Sequence, residues 1–138
     1  MDKKLYLFVF FLVSFFSCFS QSSAENFIYN RAVERAKLMD YKGAMQDFSK
    51  LIELNPKNES AYNSRGLVKL KLHDPKGAME DFSTAIELAP DFGSAYYNKG
   101  MLELNSGLKE SAYNDLIKAQ QFGYEKAGEA IQQVSFKP

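Results

Sequence analysis

Shifted by 34 residues and laid on itself, this chain matches. Lys42-Gly43-Ala44-Met45-Gln46-Asp47-Phe48-Ser49 falls on Lys76-Gly77-Ala78-Met79-Glu80-Asp81-Phe82-Ser83, Ile52-Glu53-Leu54 on Ile86-Glu87-Leu88, and Pro56 on Pro90. Between segments 25–58 and 59–92, 16 of 34 positions are identical. A fixed period of this length means stacked copies of one supersecondary unit, each unable to bury its apolar face alone. A third copy starts at Gly93: Ser94-Ala95-Tyr96 repeats Ser60-Ala61-Tyr62, Gly100 repeats Gly66, and Ala112, Asp115 and Ala119 repeat Ala78, Asp81 and Ala85. Its end is degenerate, with Tyr124 where Pro90 predicts a proline.

Each copy reads as two helices. In the second, helix A covers about Glu59–Leu72, with Tyr62, Gly66, Leu67, Leu70 and Leu72 at helical spacing. Asp74-Pro75 gives an N-cap followed by proline at the first helical position. Helix B then covers about Pro75–Leu88 with Ala78, Phe82, Ala85, Ile86 and Leu88 inward, and Pro90 blocks its continuation. The loops are short, so the two helices are antiparallel neighbours. Small residues recur at 32, 66 and 100 and at 44, 78 and 112, where they let backbones approach. Tyr62, Tyr96, Phe48 and Phe82 fill the space beside them.

The pattern Tyr62, Gly66, Ala78, Phe82, Ala85, Pro90 resembles the signature of the tetratricopeptide repeat (TPR) family. The resemblance covers about residues 25–121. The first copy departs from it at Ile28, Ala32 and Leu51, and the third lacks the proline. It implies an all-α fold, a right-handed α-solenoid of antiparallel helix pairs with about seven helices. Beyond Gly123, a plausible helix stop, Ala127, Ala130, Ile131 and Val134 follow the i, i+3, i+4, i+7 pattern. They predict a helix at 124–134 that caps the open end. The domain layout is then repeats 25–58, 59–92 and 93–123 plus the cap, within a domain at 25–138.

The N-terminus differs. Lys3 and Lys4 precede an apolar run, Leu5–Phe19, and the small or polar residues Ser17, Cys18, Ser20, Gln21, Ser22 and Ser23 lie at and just beyond its end. A basic start, a short apolar stretch and a small-polar end form a secretory signal peptide, here 1–20 with a linker at 21–24. The run falls short of the roughly 20 residues that span a bilayer. The expected location is the periplasm or the cell exterior. Cys18 after Ser17 offers a lipoprotein alternative. A membrane attachment follows only if Cys18 is lipidated or the signal is retained.

The resemblance implies that helix A residues line a concave surface that binds a peptide or a partner helix. Transferred to this chain, the stripe at i, i+4, i+8 is Tyr29, Val33 and Lys37, then Asn63, Leu67 and Lys71, then Tyr97, Met101 and Asn105. The middle row is apolar, and basic or polar residues lie along one side. These residues suit a partner segment with apolar anchors and a carboxylate near Lys37 or Lys71. Some TPR domains clamp a chaperone's C-terminal carboxylate. The corresponding offsets here hold Tyr29, Val33, Ser64, Ser94 and Asn98, so the clamp's cations are missing.

Other functions fare poorly. Basic and acidic residues balance at 17 each, against a nucleic-acid partner. One cysteine and one histidine, His73, leave no metal site and no histidine-based triad. The glycines sit singly, with no phosphate loop. The expectation is no enzyme, no cofactor and no small-molecule substrate, but an exported adaptor or assembly factor that holds a protein or peptide. The alternative is a lipid-anchored or self-associating structural component of a cell-envelope complex.

Overall fold

The computed structural model describes residues 22–135. The expected signal peptide, Cys18 and its cleavage site lie outside the described residues.

Seven helices and no strands are present among the described residues. Helix α1 covers 22–37, so the chain is already helical inside the stretch expected as a linker. Then follow α2 (Tyr41–Leu54), α3 (Glu59–Lys71), α4 (Pro75–Leu88), α5 (Gly93–Asn105), α6 (Lys109–Gln121) and α7 (Ala127–Ser135). Odd-numbered helices up to α5 are the A helices and even-numbered ones the B helices. Each helix packs on the next, so the core is a row of small clusters.

Local chemistry sets the boundaries. The Asp40 carboxylate accepts the Gly43 amide at 2.9 Å, and Asp74 accepts that of Gly77 at 2.9 Å. Asn58 caps α3 by accepting from Ala61 at 2.9 Å. In the third copy Phe92 and Leu108 stand at the cap positions and make no side-chain cap. Each A helix closes on a left-handed residue: Met39 (φ 63°), His73 (φ 60°) and Gly107 (φ 81°). The next amide reaches back to Arg35, Lys69 or Glu103 at 2.9 Å, which satisfies a terminal carbonyl. His73 is thus an exposed turn residue. Gly123 (φ 78°) does the same after α6, and Tyr124 to Lys126 turn before α7 begins.

The small residues sit where helices touch. A Cβ on Gly66 would lie 2.6 Å from Phe82 Cε1, and one on Gly100 3.0 Å from Leu116. Ala32, Ala44, Ala78, Ala85, Ala112 and Ala119 are fully buried, as are Phe48 and Phe82.

Two ladders tie the stack together. One is ionic. Arg31, Arg65 and Lys99 recur in the A helices, and each reaches an aspartate sixteen residues on in its B helix: Asp47 at 2.7 Å, Asp81 at 2.8 Å, Asp115 at 2.5 Å. Arg35 and Lys69, one turn later, add a second cation at 3.0 and 2.9 Å. The three aspartates are buried. The Arg31 fork holds the Asp47 carboxyl below the usual carboxylate range, against the opposing push of burial. The second ladder is neutral and joins A helices: Tyr29 to Ser64 at 3.1 Å and Asn98 to Asn63 at 2.9 Å.

Candidate peptide-binding groove

The stripe residues of α1 and α3 converge. Val33, Lys37, Leu67 and Lys71 line one apolar cavity of about 320 Å³, backed by Phe48 and Val68. Leu67 is 42% exposed within it. An apolar side chain this open in a concavity is what a partner's side chain would cover. Lys37 pairs with Glu34 on its own helix at 2.7 Å, while Lys71 is exposed and makes no ion pair among the described residues.

A second cavity, about 450 Å³ and polar, lies at the opposite ends of the same two helices. Glu25, Asn26, Tyr29, Lys57 and Glu59 are among its lining. Between the two runs the hydrogen bond from Tyr29 to Ser64, so one stripe residue braces the furrow floor. Tyr29 also meets the Phe48 ring edge-on, with centroids 5.6 Å apart.

The other stripe residues are placed differently. Asn63 is buried; its carbonyl accepts from Asn98 at 2.9 Å and its amide donates to Ser94 at 3.5 Å. Of the positions that correspond to a carboxylate clamp, Tyr29 and Ser64 bond to one another and Ser94 and Asn98 to Asn63, while Val33 lines the apolar cavity. Tyr97 is half-buried and stacks on Tyr124, with ring centroids 4.6 Å apart, in the cluster that seats the cap. Met101 is half-buried and Asn105 exposed, and neither lines the two cavities. The sequence reading missed the ionic ladder, although a base and an aspartate sixteen residues apart recur three times.

Glu103 breaks that ladder. It stands where Arg35 and Lys69 stand in the earlier copies. It shares Lys99 with Asp115, at 3.1 Å, and its Oε2 is buried with no hydrogen-bond partner among the described residues. Burial pushes the Glu103 carboxyl up, Lys99 offsets part of this, and Asp115 adds to it. Burial works against the Lys99 ammonium, but its two carboxylate partners outweigh that and raise it. Among the described residues no group of three or more His, Cys, Asp or Glu is placed to hold a metal ion. No described helix is long and apolar enough to cross a membrane.

A family model described as tetratricopeptide repeat matches residues 26–58 and 59–92. No curated protein matches the chain. Among solved structures, the Arabidopsis OM64 TPR domain is similar at a TM-score of 0.77 and 19% identity, over 83% of this chain and 97% of that one. The first TPR domain of Spaghetti (RPAP3), bound to the HSP90 peptide SRMEEVD, aligns at 0.75 and 18% identity, over 80% and 90%. The yeast Sti1 TPR2B domain in complex with pHsp70 aligns at 0.73 and 22% identity, over 81% and 93%. Residues 26–58 and 59–92 are tetratricopeptide repeats, within an all-α solenoid of that type.

Proposed function

We propose that this chain is an exported protein-interaction module, an adaptor or assembly factor that holds a segment of a partner protein in its concave groove. The observation that carries the reading is the apolar cavity between α1 and α3, with Leu67 open at its floor and lysines at its rim. The peptides bound by the RPAP3 and Sti1 domains lend support by likeness of fold. The clamp cations are missing here, so the partner differs in how it is gripped. Export rests on Lys3, Lys4 and the apolar run that follows.

The test is a pull-down from source-cell envelope extract with residues 21–138 as bait. Leu67→Ser/Lys71→Ala is the informative variant, because Asn63 and Tyr97 also hold the stack together and their loss would confound folding with binding. A partner kept by wild type and lost by a variant of unchanged helicity supports the groove. A partner kept by both moves the site elsewhere.

The alternative, a structural or self-associating envelope component, draws on Phe27. It stands at the position of the fully buried Ala61 and Ala95 but is 65% exposed, on the first described helix of the stack. Loss of self-association in Phe27→Ser, by sedimentation, would favour it, and a lipidated Cys18 in the mass of the mature protein would favour the anchored form.

A further inference from the structure

We infer that the furrow between α1 and α3 reads a short extended partner segment by charge order: a basic side chain, then an apolar one, then an acidic one. This deepens the groove reading and rests on it.

The furrow has chemically opposite ends. At the start of both helices the polar cavity presents Glu25 and Glu59, with Lys57 as its one cation. Glu25 accepts the Asn55 amide at 3.0 Å, and Glu59 a long contact from Ser60 at 3.5 Å. At the other end the apolar cavity lies between Lys37 and Lys71. Acidic first turns and basic last turns also complement helix dipoles, so the pattern alone proves little. But α5 has the same dipole and carries neither an acid in its first turn nor a base in its last. α6 repeats the pattern with Glu110 and Lys118, but of these helices it is α1 and α3 whose opposed charges line the two cavities of the furrow.

The Tyr29–Ser64 brace decides the shape of the occupant. It pinches the furrow into two depressions, where a partner helix needs one continuous trough. An extended strand can pass over the brace and drop side chains on either side. Along a helix, positions 25 and 33 are about 12 Å apart and positions 33 and 37 about 6 Å. An extended chain advances about 3.3 Å per residue. The base therefore precedes or follows the apolar residue by roughly three or four positions, and the acid lies roughly two beyond it.

Randomised peptides displayed on phage, selected on the purified protein, test this. The expected pool carries that order and spacing. On Lys71→Glu the acid is replaced by a base while the apolar residue stays, and an acid-bearing peptide loses at least about tenfold in affinity. Peptides that need Leu67, shown by loss on Leu67→Asp, but have no acid preference or helical spacing overturn the inference and leave the groove reading standing. Peptides indifferent to Leu67→Asp, or no enrichment on folded wild type, overturn both.

Discussion

Glu103 occupies the turn of α5 that Lys69 occupies in α3. Lys69 reaches Asp81 at 2.9 Å; Glu103 turns a second carboxylate toward Lys99 and leaves one oxygen buried with no partner among the described residues. A buried unsatisfied oxygen costs more than an ordinary hydrogen bond returns. Glu103→Lys restores the arrangement of the second repeat. It is expected to raise stability by about 1 kcal/mol, or a few degrees in Tm. Because the folded carboxyl titrates above the ordinary glutamate value, the folded state holds the proton more tightly, and stability falls as pH climbs through that window. Glu103→Gln removes this loss. Its Tm advantage over wild type should therefore grow between about pH 4 and pH 7, and an advantage independent of pH would refute the assignment.

Asp81 is a carboxylate with two cation partners. It receives Arg65 and Lys69, both largely covered, so Asp81→Asn leaves two cations short of their carboxylate. The expected cost is about 2 kcal/mol by urea titration. For Asp47, whose carboxyl is held low by Arg31, the stabilisation is present above the ordinary aspartate value and lost as pH falls through the lowered one. Wild type should exceed Asp47→Asn by a constant margin at neutral pH, and the margin should shrink below about pH 4.

The third repeat lacks the cap that Asp40 and Asp74 give their B helices. Leu108 holds that position, 54% exposed. Where the aspartate is present, the residue three further on is Gly43 or Gly77, because the carboxylate fills the space a Cβ would take. Ser111 stands there in the third copy. Leu108→Asp/Ser111→Gly should therefore stabilise by about 1 kcal/mol, and Leu108→Asp alone by less. Thermal melts of the two variants check the order.

Gly66→Ala should destabilise, although alanine is the better helix former. Its Cβ would enter the Phe82 ring, which is fully buried and cannot swing outward. The expected loss is about 1–2 kcal/mol. Ala32 fills the same place in the first repeat, so Ala32→Gly should also destabilise, by about 1 kcal/mol, through helix propensity. Denaturant melts of both variants give the two signs directly.

The fold was legible because its signals are local and repeated. Asp74-Pro75 and Pro90 bracket helix B of the second repeat, and the helix runs Pro75–Leu88 as they predict. The groove was legible only in part. Spacing of i, i+4 states which way a side chain points, not what the next repeat lays over it. Asn63 points into the concave side but meets Ser94 and Asn98, more than thirty residues on. Tyr97 does too, and Tyr124 covers it from a connector whose path no periodicity encodes. Val33, Leu67, Lys37 and Lys71 do converge, on one apolar cavity between α1 and α3.

The Tyr97–Tyr124 stack has a further consequence. One ring serves as groove wall and as seat for the terminal helix, so a guest that displaced Tyr124 would have to unseat α7 first. Repeat three thereby serves as a foundation, which leaves the pair of helices at the other end as the surface that the proposed function uses. On that proposal, most of the described solenoid holds a small reading head rigid.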